Sequence, residues 1–126
     1  MKLVLDSGAL IALEKSNRAM WTRLKAAQLA GDVPVSHGGV VGQAWRGRGP
    51  RQALLAKALS GIEVHALDED RGRAAGELLG LARAADVIDA ALVLLADEGD
   101  RIVTSDPEDI EALASSAGRD VEIVRA

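Results

Sequence analysis

The stretch Leu3-Val4-Leu5-Asp6-Ser7-Gly8-Ala9-Leu10-Ile11-Ala12-Leu13 decides the fold class. Three aliphatic residues without polar alternation read as a strand buried on both faces, and Asp6-Ser7-Gly8 stops it. Ala9 to Leu13 then reads as the first turns of a buried helix. The same order recurs along the chain. Asn17 caps a helix running to about Ala30, with Met20, Trp21, Leu24, Ala27 and Leu29 on its apolar stripe and Gly31 as its stop. Val33-Pro34-Val35 reads as a second strand, and Ser36 as the N-cap of a helix through Val40 to Arg46 that Gly47-Arg48-Gly49-Pro50 breaks. A helix from Arg51 to about Ser60 precedes a strand over Ile62 to His65. Leu67-Asp68 leads into a helix ending near Ala85, and Asp86 starts an Ala/Leu-rich helix reaching Ala96. Arg101 to Thr104 is the next strand, Ser105-Asp106-Pro107 opens a helix to Ser116, and Val121 to Val124 is the last strand. Strands separated by helices imply an α/β fold with a parallel sheet, and no linker or internal repeat divides residues 1–126 into more than one domain.

Composition narrows the chemistry. The 126 residues are 48% hydrophobic and 27% charged, enough to bury a core without covalent staples. With no Cys, disulfides, zinc knuckles and thiol nucleophiles are excluded. Phe and Tyr are absent and there are two Trp, so aromatic base-stacking platforms are excluded as well. No window approaches 18 uninterrupted apolar residues and the N-terminus turns polar at Asp6, which predicts a cytoplasmic protein with no membrane association. Charge is unevenly spread: residues 1–66 carry nine basic and four acidic side chains, net +5, whereas residues 67–126 carry six and fifteen, net -9. A basic surface beside an acidic pocket is one expectation from that split, and an acidic solvated helix face is the other.

The chemistry-bearing candidates are carboxylates. Asp6 follows the first strand, Asp106 follows the fourth, and Asp86 with Asp89 opens the Ala/Leu-rich helix. Ligands of open parallel sheets bind beyond the carboxyl ends of the strands, which is where Asp6 and Asp106 project. Taken singly, each Asp is more simply a helix cap, and Pro107 after Asp106 fits that reading. Capping does not explain why so many helix starts share one sheet edge. Crowded carboxylates repel and raise one another's pKa unless a cation lies between them, and Mg²⁺ or Mn²⁺ supplies that charge.

These residues resemble a known family. Leu3 to Leu13, Asp86-Val87-Ile88-Asp89-Ala90-Ala91-Leu92-Val93 and Ile102-Val103-Thr104-Ser105-Asp106-Pro107-Glu108-Asp109 are similar, in order and spacing, to the PIN-domain ribonucleases, and among them to the VapC toxins of bacterial toxin-antitoxin pairs. The resemblance implies a PIN-like α/β/α sandwich with a central, mainly parallel sheet of four or five strands. It implies a Mg²⁺- or Mn²⁺-dependent endoribonuclease with Asp6, Asp89 and Asp106 as catalytic and metal-binding acids, Asp86 as a further ligand, and Thr104 and Ser105 holding a water. It also implies a VapB-like antitoxin, with a homodimer, a heterotetramer or a larger assembly as the oligomeric state. One departure stands out: the family's Glu on the helix after the second strand is matched here by Gln43, which brings no charge to a cation. Glu14 and Glu77 are the nearest substitutes by element, and both read as exposed helix residues. The alternative reading is therefore a catalytically weak or inactive module that binds RNA or protein.

Arg46, Arg48 and Arg51 around the Gly/Pro break are candidate RNA-backbone contacts. His37 reads as a loop residue, His65 as a strand end, and neither is given a role. Trp21 and Trp45 read as core or interface residues, and Asp109 as a solvent-facing capping-box partner. A phosphoacceptor domain of the receiver kind fits poorly, because it needs paired acids after the first strand and an acid after the middle one, where Val64-His65-Ala66 has none.

Overall fold

Leu3, Val4, Leu5, Ile102 and Val103 are all at most 3% exposed, as expected of strands covered on both faces. In the computed structural model, which describes residues 1–126, the elements run β1 (Leu3–Leu5), α1 (Ser7–Glu14), α2 (Arg18–Leu29), β2 (Val35–His37), α3 (Gly38–Ala44), α4 (Pro50–Leu59), β3 (Glu63–His65), α5 (Glu69–Ala82), α6 (Val87–Val93), β4 (Arg101–Thr104), α7 (Pro107–Ser116) and β5 (Glu122–Arg125). The five strands form one sheet in the order β3-β2-β1-β4-β5, and every pairing is parallel. The α/β class and the five-strand parallel sheet follow the sequence reading.

The chain steps outward from β1 to β2 and β3, then returns across the sheet to β4 and β5 on the other side. Parallel crossovers are right-handed, so opposite directions of travel place the helices on opposite faces. The packing agrees: α1 touches α2, α3 and α4, while α5, α6 and α7 touch one another. Between the layers lies one core of 27 buried apolar residues. The reversal of strand order falls between β1 and β4, which opens a crevice at their carboxyl ends. No helix is long and apolar enough to cross a membrane.

Several boundaries differ from the sequence reading. The second strand is Val35–His37, not Val33–Val35, because Pro34 has no N–H to give a ladder and Val33 is exposed. Ser36 is therefore a strand residue, not an N-cap. Its buried hydroxyl donates to the Leu5 carbonyl at 2.8 Å, and His37 takes the capping place. The fifth helix ends at Ala82, where Arg83 turns left-handed at φ 54°, and α6 ends at Val93 as its final carbonyls tighten into three-residue turns.

The amino-terminal edge of the sheet is closed by ions. The Lys2 ammonium meets Asp100 at 2.6 Å and Asp97 at 2.7 Å, and the buried Asp100 also accepts from the Lys2 and Asp97 amides. Burial alone disfavours charge on both partners, yet the hydrogen bonds outweigh it, leaving the Lys2 pKa raised and the Asp100 pKa lowered.

Ile102 is fully buried and stands in register with Val4 and Ile123. Ile102→Ala should destabilise the protein by about 2–5 kcal/mol in urea unfolding, whereas Leu29→Ala, at a side chain 90% exposed, should change stability by no more than about 0.5 kcal/mol. Equal effects would place the core elsewhere.

Candidate metal centre

The crevice is organised by Asp6. Its Oδ1 accepts the Ala9 amide at 2.9 Å, capping α1, and its Oδ2 accepts the Thr104 hydroxyl at 2.6 Å and the Ser105 amide at 3.1 Å. A carboxylate offers about four lone-pair directions, so three inward bonds fix its plane and leave about one for a ligand. The sequence suggests this residue because a strand must stop and a helix must be capped there. Only the fold shows that the same side chain also clamps β4.

Thr104 is buried, and its hydroxyl both donates to Asp6 and accepts the Asp106 amide at 2.9 Å. Thr104 thus spends its donor and one acceptor site on two neighbours and sets their spacing. Ser105 is exposed and lies on Gly8, where a Cβ would stand 2.5 Å from Ser105 Oγ and 2.6 Å from Ser105 Cβ. Gly8 is thus required by close approach, which a sequence reading takes for a simple turn residue.

Asp106 precedes Pro107 at the start of α7, the place of an N-cap, yet its side chain makes no capping bond. Its carboxylate is exposed and free. Asp86 caps α6 by accepting the Asp89 amide at 3.0 Å, and Asp89 in the first turn is half-buried. Asp86, Asp89, Asp106 and Asp109 line one cleft of about 380 Å³ with Ala82, Ala84, Ala85, Ala112 and Leu113. Asp109 is exposed as expected and also lines the cleft, but it is no capping-box partner, because the Asp106 amide donates to Thr104.

Electrostatics mark this cluster as uncompensated. Asp89 has its pKa pushed up to about 6, first by desolvation and then by the charges of Asp86, Asp6, Asp106 and Asp109. None of these five carboxylates is in an ion pair. All are hard oxygen donors, which suits Mg²⁺ or Mn²⁺. As the side chains stand, no three acidic groups are gathered closely enough to hold an ion. The donor set fits a hard divalent cation in chemistry and charge, and closing on one requires side-chain movement.

The other sequence candidates fall outside this cleft. Gln43 is exposed on α3 and does not line it. Arg46, Arg48 and Arg51 are exposed. The Arg46 guanidinium donates to the carbonyls of Gly42 at 3.2 Å and Trp45 at 2.8 Å. Their turn is held from beneath by the buried Gln52, whose Oε1 accepts the Arg46 and Gly47 amides at 2.5 and 2.9 Å. Trp45 is 40% exposed, which leaves the interface half of its core-or-interface reading, whereas Trp21 is partly buried and donates from Nε1 to the Leu13 carbonyl at 3.0 Å.

Two residues near the crevice carry no sequence signal. Arg125 stands in register with Thr104 and lines a second cleft of about 240 Å³ with Ser105, Asp106, Pro107, Glu108 and Asp109. It has no acidic partner. His37 is buried at the end of β2, where its Nδ1 accepts the Gly39 amide at 3.1 Å and its Nε2 donates to the Ile88 carbonyl at 2.9 Å. Burial lowers its pKa, with Arg71 adding to the effect and the Ile88 bond opposing it. His37 is neutral and structural, not a loop residue.

Because Gly8 faces Ser105, Gly8→Ala should destabilise by about 1–3 kcal/mol even though Ala is the better helix former. Gly8→Ala with Ser105→Gly should recover most of the loss. A double-mutant cycle without coupling would refute the close approach.

No protein-family model and no curated protein sequence matches the chain. Among solved structures, a chain of the crystal structure of VapBC2 from Rickettsia felis bound to a DNA fragment from their promoter superposes with a TM-score of 0.70, covering 98% of both chains at 14% identity. At that identity the likeness is one of fold, and the fold of this chain is the PIN-like α/β/α sandwich.

Proposed function

We propose that this protein is a metal-dependent endoribonuclease of the toxin kind, held in check by an antitoxin of the VapB kind. The observation that carries the reading is that Asp86, Asp89, Asp106 and Asp109 line one cleft at the topological switch point, with Asp6 near enough to add to the raised Asp89 pKa and none of the five in an ion pair. A solved VapBC2 complex with the same fold supports the partner class, and the sequence resemblance supports RNA as substrate. On this reading the protein works in the cytoplasm as a homodimer, or as a heterotetramer or larger assembly with its antitoxin.

Asp6, Asp89 and Asp106 would hold Mg²⁺ or Mn²⁺, with Asp86 at the rim. When bound, the ion would activate a water for in-line attack and neutralise charge on the leaving oxygen. The residues of the chain do the positioning. Thr104 fixes Asp6 and Asp106 through one hydroxyl. Asp89 moves between protonated and charged forms near pH 6. The unpaired Arg125 guanidinium borders the same acids and suits a backbone phosphate. Arg46, Arg48 and Arg51 offer further phosphate contacts from the turn that Gln52 holds rigid.

A second reading, a binding module of this fold without chemistry, is favoured by two observations. No three acids are gathered to hold an ion as they stand, and Gln43 leaves the family's fourth acid unreplaced. Calorimetric titration with Mn²⁺ separates the two, because the binding module takes up no ion through carboxylates.

Partner-free protein should cleave single-stranded RNA with Mn²⁺ or Mg²⁺ and lose activity with a chelator. Asp89→Asn and Asp106→Asn should each lower the rate by about 100-fold or more, with circular dichroism unchanged. Cleavage that survives both substitutions would refute the catalytic assignment.

Asp89 also predicts a pH response. Its folded pKa, about 6, lies above the ordinary 3.8, so the metal-free folded state binds the proton more tightly than the unfolded chain. That contribution to stability is complete below about pH 4 and is lost as pH rises through 6. Mn²⁺ binding must expel the proton, so affinity should fall below pH 6, with proton release seen at pH 5.5 and little at 7.5. Asp89→Asn should remove both effects, and a wild-type-like response in that variant would assign them elsewhere.

A further inference from the structure

His37 takes no part in the chemistry proposed above, and its environment excludes a direct role. The side chain is fully buried, and both ring nitrogens are bonded inward to the main chain, Nδ1 to the Gly39 amide and Nε2 to the Ile88 carbonyl. These two bonds fix the tautomer that carries its proton on Nε2. They also join three elements: the end of β2, the start of α3 and the first turn of α6, with 51 residues between ring and carbonyl.

The second bond falls on the residue immediately before Asp89. The first turn of α6 faces a steady outward push, because Asp89 sits among Asp6, Asp86, Asp106 and Asp109. Helix α6 is only seven residues long, and the cap at its start is Asp86, itself one of the repelling acids. A neutral donor anchored in the sheet is what such a turn needs. We infer that His37 is the positioning residue of Asp89, its bond to the Ile88 carbonyl holding the first turn of α6 against β2 so that the Asp89 carboxylate stays in the acidic cluster. The inference rests on the reading of that cluster as a metal centre.

Gly39 supports it independently. A Cβ there would lie 2.5 Å from Ile88 Cδ1, 3.0 Å from His37 Cε1 and 3.2 Å from His37 Nδ1. A side chain at 39 would displace the Ile88 δ-methyl and crowd the His37 ring. The His37-Gly38-Gly39 segment thus combines a donor for α6 with the clearance that lets α6 approach.

Two substitutions separate positioning from plain packing. His37→Gln retains an amide donor that reaches the Ile88 carbonyl, whereas His37→Asn retains an acceptor for the Gly39 amide and loses the reach to α6. Mn²⁺ affinity is read by calorimetry, and hydrogen exchange at the Asp89 and Ala90 amides by NMR, each at conditions where both variants are folded. His37→Asn should weaken Mn²⁺ binding about tenfold and speed exchange at those two amides about tenfold, while His37→Gln stays within about threefold of wild type on both measures. If the two variants lose affinity and protection equally, or neither loses any, the positioning role is overturned. If the wild-type protein binds no Mn²⁺, the metal-centre reading fails, and exchange alone then decides: faster exchange confined to His37→Asn supports the tether, and unchanged exchange overturns it.

Discussion

The structure depends on a single carboxylate. Asp6 ends β1, caps α1 through the Ala9 amide, and receives the Thr104 hydroxyl and Ser105 amide from β4. It therefore joins two strands and a helix at the point where strand order reverses, the one place along the sheet edge where flanking helices diverge. At 4% exposure Asp6 would carry a large desolvation cost if unsatisfied. Three hydrogen bonds offset that cost, and a hydrogen bond to a charged group contributes about 1.5–3 kcal/mol. Everything in the crevice takes its position from this node: Thr104 passes it on to the Asp106 amide, and Gly8 lets Ser105 close over it.

The two ends of the sheet treat charge in opposite ways. At the amino end, Asp97 and Asp100 surround the Lys2 ammonium, and the Arg119 guanidinium donates to the Ala96 carbonyl beside them. Those acids are partnered and close the fold. At the carboxyl end, four Asp side chains line one cleft beside the buried Asp6, none of the five is in an ion pair, and the half-buried Asp89 bears the resulting pKa shift. A cluster of that kind opposes folding and is retained only where it has another use. The net -9 of residues 67–126 is thus divided. Part is structural and neutralised, part lies on solvated helix faces such as the Glu69–Arg73 pair of α5, and the uncompensated part faces one crevice.

Much of this was legible in the sequence, for physical reasons that also explain what was not. Continuous aliphatic runs flanked by caps read as buried parallel strands, so the central strands β1 and β4 follow from Leu3-Val4-Leu5 and Ile102-Val103-Thr104, and the more exposed outer strands from the short β-rich segments between helices. Asp6, Asp86, Asp89 and Asp106 were visible because each stands at a helix start. Asp109 was not, because an acid in a first turn looks the same whether it faces solvent or a neighbouring cleft. The displacement of β2 by two residues turned on Pro34, whose missing N–H disqualifies it from the ladder. That shift moved Ser36 and His37 from loop to sheet, and with them the bonds to Leu5 and Ile88. Long-range partners of this sort leave no periodic trace. The glycines at 8 and 39 were similarly silent, since both have ordinary helical surroundings and owe their identity to a side chain brought near from elsewhere in the chain.

Gln43 gains a different weight once the crevice is known. On sequence alone its missing charge reads as a lost ligand. In the structure it is exposed on α3 and is not among the residues that line the cleft, to which Asp86 and Asp109 bring two further carboxylates. The charge for a divalent ion is thus present without a contribution from α3. What the cluster lacks is a counter-charge, which a divalent cation would supply at the cost of the proton that Asp89 otherwise holds near pH 6. The same crowding that raises the Asp89 pKa is therefore the source of the attraction that would hold a cation there.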